Sequence, residues 1–119
     1  MYYIDLRKVT EDHVKGKWIV RDRIQSAGKE KNVFDDVRLI ELKDGNYKSV
    51  NGKELSGDWQ VIKEDEVIYH PQLRFFIDGN EVGNAIITRL RADTEKQGET
   101  LNLTLYFTNG LELLLQKSA

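Results

Sequence analysis

Through most of the chain, apolar residues return at every second position. Trp18, Val20 and Ile24 fall on one parity, opposed by Arg21 and Arg23. Leu73, Phe75 and Ile77 share a parity with Arg74 opposite, and Leu101, Leu103, Leu105 and Phe107 oppose Asn102, Thr104 and Tyr106. A period of two with one polar face is the pattern of an antiparallel strand that covers a core on one side. Between these runs stand Asp44-Gly45, Asn51-Gly52, Asp78-Gly79 and Asn109-Gly110, pairs that accept the positive φ angles of tight hairpin turns. The pattern predicts strands over Lys17 to Ile24, Val37 to Leu42, Tyr47 to Val50, Asp58 to Ile62, Val67 to His70, Leu73 to Asp78, Asn84 to Arg91, Leu101 to Phe107 and Leu111 to Lys117. Pro71 cannot donate to a ladder, so it predicts an edge, a bulge or a bend beside His70.

Strands joined one after another by short turns make an up-and-down meander. About eight of them, with no helix to cover the edges, are best closed as a barrel. The expected fold class is therefore all-β: a single antiparallel up-and-down barrel of about eight strands filling residues 1–119 as one domain. One helical turn is expected ahead of the first strand, where Thr10 offers an N-cap and Glu11 and Asp12 complement the helix dipole. Gln25 to Asn32 reads as a loop.

Composition narrows the function classes. The chain has 119 residues, no cysteine and a formal net charge of −2. Disulfides, thiolate zinc sites and cysteine nucleophiles are excluded. The charge balance gives no support to a nucleic-acid binder, which would carry a basic face. No run of 18 apolar residues occurs, so no transmembrane segment is expected. Charges interrupt the start of the chain where a signal peptide needs its apolar stretch, which as written implies a cytoplasmic location. A periplasmic or secreted location would require a leader already removed.

Candidate catalytic chemistry is thin. His13 and His70 are the two histidines, and neither has metal-ligand spacing. His70 with Tyr69 at a barrel mouth would be the place for a haem-like ligand, against the plainer reading of a loop histidine. Asp35-Asp36, Glu64-Asp65-Glu66 and Asp93 to Glu95 sit at turn-like positions and read as solvated acids. Arg21 with Arg23, and Arg89 with Arg91, share strand faces and read as outward ladder partners of acids, the alternative being an inward arginine that anchors a ligand carboxylate. No serine stands in a nucleophile-elbow context. No catalytic residue, metal or cofactor is expected.

One local echo is informative: Gly16-x-Trp18-x-Val20 and Gly57-x-Trp59-x-Val61 both open strands. A short turn, then Gly16-x-Trp18 on the first strand, then an antiparallel meander resembles the calycin group, most of all the small bacterial lipocalin-like domains. The resemblance implies that Trp18 closes one end of the barrel, with Lys117 packed across it. It further implies non-enzymatic binding of a small apolar or amphipathic ligand inside the barrel, with Trp18, Tyr47, Trp59, Phe75 and Tyr106 as the ligand-binding residues. The alternative is a structural or protein-interaction domain with a filled core, forming a homodimer through outward aromatics such as Phe76 and Tyr106. A third reading, an enzyme acting on a bound tetrapyrrole, rests on what related barrels have acquired.

Overall fold

The computed structural model describes residues 2–25, 33–62, 70–95 and 98–118. All four turn pairs reverse the chain between neighbouring strands. At Asp78-Gly79 both residues have positive φ, 52° and 81°, the twist that carries two strands directly into a hairpin. The next strand therefore starts at once, at Asn80, earlier than the sequence pattern suggested.

The strands are β1 (Tyr2–Tyr3), β2 (Gly16–Ile24), β3 (Leu39–Leu42), β4 (Asn46–Val50), β5 (Glu54–Ile62), β6 (Gln72–Ile77), β7 (Asn80–Glu95), β8 (Gly98–Phe107) and β9 (Glu112–Ser118). From β2 to β9 each strand pairs antiparallel with the next, and β9 returns to pair with β2. The result is a closed eight-stranded up-and-down barrel, as the meander predicted. Of the strand expected over Val67 to His70, residues 67–69 lie outside the described residues and His70 is not in a strand.

Pro71 explains the short extra strand. β6 begins just after it, and the Pro71 carbonyl accepts from Ile87 N–H at 2.9 Å. Beyond that point β6 no longer covers the edge of β7. β1 takes it: Ile4 N–H donates to the Leu90 carbonyl at 2.8 Å, and Tyr2 and Tyr3 pair with Ala92 and Arg91.

A 3-10 turn (Leu6–Lys8) and the helix α1 (Glu11–Val14) follow β1, so the expected helical turn is present. Thr10 precedes α1 as its N-cap residue, and its backbone N–H donates to His13 Nδ1 at 3.0 Å. This segment sends Val9 and Val14, both fully buried, into the core. Lys15 fastens it to the β3–β4 turn by an ion pair with Asp44.

The inward parity of the strands supplies the rest of the core, including Trp18, Ile40, Tyr47, Leu73, Phe75, Leu105 and Leu113. One parity expectation is corrected. Between Val20 and Asp22 the register of β2 against β9 slips by one residue. A one-residue bulge moves every later side chain to the opposite face. Ile24 is consequently 55% exposed rather than sharing the face of Trp18. Arg23 turns the other way, and its guanidinium donates to the Asp35 and Val37 carbonyls instead of standing outward beside Arg21.

Candidate functional site

The largest concentration of aromatic surface lies inside the barrel, and its centre is a residue from a loop. Phe34 belongs to the turn between β2 and β3 and is fully buried. Its ring centroid lies 4.6 Å from that of Phe75, 5.1 Å from Phe107 and 6.0 Å from Tyr47. Tyr47 and Phe75 meet edge to face at 5.1 Å. Ring pairs at these distances are favourable beyond their burial. Tyr47 comes from β4, Phe75 from β6 and Phe107 from the end of β8.

Two glycines make room for this cluster. A Cβ on Gly83 would lie 2.6 Å from Phe34 Cε2, so β7 approaches that ring by its bare backbone. A Cβ on Gly57 would lie 2.9 Å from Tyr47 Cε1 and 2.0 Å from the Phe76 carbonyl oxygen. Gly57 of the second Gly-x-Trp motif therefore has a packing role: it brings β5 close to β6 while admitting the Tyr47 ring.

Both tryptophans do the same work. Trp18 Nε1–H donates to the Val14 carbonyl at 2.8 Å, satisfying the end of α1. Trp59 Nε1–H donates to the Lys43 carbonyl at 2.6 Å, satisfying the β3–β4 turn. The two motifs thus share a structural function: a buried indole whose polar edge donates to a main-chain carbonyl of the neighbouring turn. Lys117 packs over Trp18, its Nζ 5.0 Å from the ring centroid.

The five residues expected to bind a ligand are therefore not one constellation. Tyr47 and Phe75 stand together, and Trp59 is the cross-strand partner of Phe75. Trp18 lies beneath α1. Tyr106 is not on the interior wall: it is 44% exposed, and its neighbours Leu105 and Phe107 hold the inward positions. The strict alternation of β8 dictates this, since Leu101, Leu103 and Leu105 already occupy the inner parity. Phe34 was missed because it lies in a short polar turn. Its signal was an isolated apolar pair, Val33-Phe34, between charged and polar residues.

The Tyr47 hydroxyl and Asn84 Oδ1 are buried polar atoms that stand without a hydrogen-bond partner among the described residues, and only the first lies within the aromatic cluster. Tyr47 is 2% exposed. Burial pushes its pKa up, with the Asp58 carboxylate adding to the shift. A buried hydroxyl without a partner costs about 1–3 kcal/mol. Elsewhere, no group of three acidic or histidine side chains among the described residues could hold a metal ion. No helix among them is long and apolar enough to cross a membrane. His70 is exposed, and Tyr69 lies outside the described residues. No family model, curated protein or solved structure matches the chain.

Proposed function

We propose that the chain is a single lipocalin-like domain that binds a small apolar or amphipathic molecule inside its barrel, without catalysis. The observation that carries the reading is the unpartnered Tyr47 hydroxyl within an aromatic cluster. A polar atom kept in an apolar interior at a cost in stability is a natural recognition point for a ligand's single polar group. The place for that ligand is the volume held by Phe34. Among the four clustered rings, those of Tyr47, Phe75 and Phe107 stand on barrel strands and Phe34 comes from a turn. Displacing its side chain would leave a phenyl-sized hole lined by the other three and floored by Gly83. An aromatic or short aliphatic group bearing one hydrogen-bonding atom fits that description. Trp18 and Trp59 then serve the frame rather than the ligand.

The test is a titration with octanoate and with 4-propylphenol, followed by calorimetry, on the natural chain, Phe34→Ala and the milder Phe34→Leu. Binding to the natural chain is expected. The Phe34 variants should bind at least ten-fold tighter, because the ligand no longer competes with the plug. Failure of all three folded proteins to bind either compound would overturn the reading. The competing reading, an interaction domain with a filled core, draws on the exposed Ile24 and Tyr106. Both are cross-strand neighbours of Glu112 on the outer wall. A bare dimer in native mass spectrometry, dissociated by Tyr106→Ser, would decide for it.

A further inference from the structure

The outer wall over β2, β9, β8 and β7 carries a feature that ligand binding inside the barrel does not use. Cross-strand pairing aligns Asp22, Leu114, Thr104 and Arg89 in one row. The next row holds Ile19, Gln116, Asn102 and Arg91. Two register slips interrupt these rows, one at Arg21 between Val20 and Asp22, the other between Ile87 and Arg89. Bulges re-aim side chains, and they recur beside binding sites. Here they set Arg21 on β2 and Arg89 on β7 at opposite sides of the same stretch of wall. Three strand spacings, roughly 14 Å, separate the two backbones. In this wall is a cleft of about 140 Å³ whose lining includes Arg21, Asp22, Arg89, Arg91, Asn102 and Thr104.

The arginines are held by their inner edges. Arg21 Nε–H donates to Gln116 Oε1 at 2.7 Å. Arg91 Nε–H donates to Asp93 Oδ2 at 3.0 Å, and Asn102 Nδ2 donates to the same oxygen at 2.7 Å. The Arg89 guanidinium carbon lies 5.7 Å from the centroid of the Tyr3 ring, on the short strand β1. These contacts orient the three guanidinium planes. Among the described residues they leave the terminal N–H groups of Arg21 and Arg91, and the whole fork of Arg89, without an acceptor. Three cations facing one cleft repel one another. Asp93 offsets Arg91 by an ion pair at 3.0 Å, and Asp22 is the lining carboxylate beside Arg21 and Arg89, so the cleft keeps a net positive charge. This concentration of positive charge stands out in a chain whose net charge is −2.

We propose that this cleft binds a phosphate-type oxyanion, either free or as the phosphate of a small ester. The chemistry is that of arginine forks for tetrahedral or planar oxyanions: parallel charge-assisted donors with fixed direction. Thr104 and Asn102 add short polar groups to the lining, and Leu114 adds apolar surface. The volume admits a phosphate group.

The experiment is a titration with inorganic phosphate at pH 7.5 and constant ionic strength, read by calorimetry and by the arginine Nε–Hε resonances. Saturable binding with a dissociation constant below about 1 mM is expected, with the Arg21 and Arg91 signals moving. Arg21→Gln and Arg89→Gln should each weaken it at least ten-fold, Asp22→Asn should tighten it, and Arg38→Gln, remote from the cleft, should leave it unchanged. All these positions are on the surface, so folding is not at stake. Glycerol phosphate distinguishes the sources: equal affinity marks a site for the free ion, tighter binding a site for an ester. Absence of saturation, or unchanged affinity in the Arg21→Gln/Arg89→Gln double variant, would overturn the proposal.

Discussion

The ammonium group of Lys117 stands 5.0 Å from the centroid of the Trp18 ring and donates to the Lys15 carbonyl at 2.7 Å. Gly16 permits this approach, since a Cβ there would lie 2.5 Å from Lys117 Cδ. Burial pushes the lysine pKa down, while the ring face and the carbonyl favour the charged form. The last barrel strand is thereby clasped over the first. Replacing Lys117 by Met keeps the aliphatic packing and removes both polar contacts. The variant should lose about 1 kcal/mol of stability, seen as a lower urea midpoint with an unchanged slope. An unchanged midpoint would mean the contact is ornamental.

Tyr47 gives a pH signature. Its pKa is raised in the folded state by burial, so the unfolded chain ionises this phenol first. Its contribution to stability is complete below the ordinary tyrosine value of about 10 and is lost as pH climbs from there through the folded-state value. Tyr47→Phe should remove that alkaline loss. At neutral pH the same change should stabilise the protein by about 1 kcal/mol or more, because the unpartnered hydroxyl is gone. Denaturant melts of both proteins from pH 7 to pH 11 would show the difference. A destabilised Tyr47→Phe would mean that the hydroxyl has a partner.

Two glycines should respond very differently to alanine. At Gly57 the new methyl would meet the Phe76 carbonyl oxygen at 2.0 Å, and backbone cannot step aside. A loss of about 3 kcal/mol or more is expected. At Gly79 nothing lies within 4 Å, and the cost is that of a φ of 81° alone, about 1–2 kcal/mol. Thermal unfolding of the two variants side by side checks the order.

Phe34→Ala should destabilise by about 3–5 kcal/mol, the range for a fully buried aromatic ring. Phe34→Leu should cost less than half of that. If the proposed ligand then fills the space, its addition should restore the melting temperature of the alanine variant more than that of the natural chain. Equal shifts in both would separate the ligand site from Phe34.

The barrel was legible because hydrogen-bond closure and one-sided burial both write themselves into alternation and turn pairs. β8 shows this best: Leu101 to Phe107 alternate without interruption, and the structure keeps every parity, Tyr106 on the outer face included, which is what removes Tyr106 from the interior wall. The Lys117–Trp18 contact was implied by a resemblance carried on Gly16-x-Trp18 and is present. What alternation cannot encode is a residue that leaves it. The bulge at Arg21 costs one residue and inverts Arg23 and Ile24, and no side chain in Arg21-Asp22-Arg23 announces it. Phe34 enters the core from a turn, outside any period. The arginine cleft depends on two bulges on strands distant in sequence, so spacing alone could not assemble it.

The pairing of β2 with β9 has a kinetic meaning. It is the ladder that turns a curled sheet into a ring, and it joins the earliest barrel strand to the latest. Bringing those segments together closes a loop of roughly 90 residues, an entropic cost of about 4 kcal/mol before any contact offsets it. Until that ladder zips, β2 and β9 are open sheet edges, able to pair with other copies of the chain. The clasp of Lys117 on Trp18 sits at the end of that ladder, so its strength bears on how long the edges stay exposed during folding.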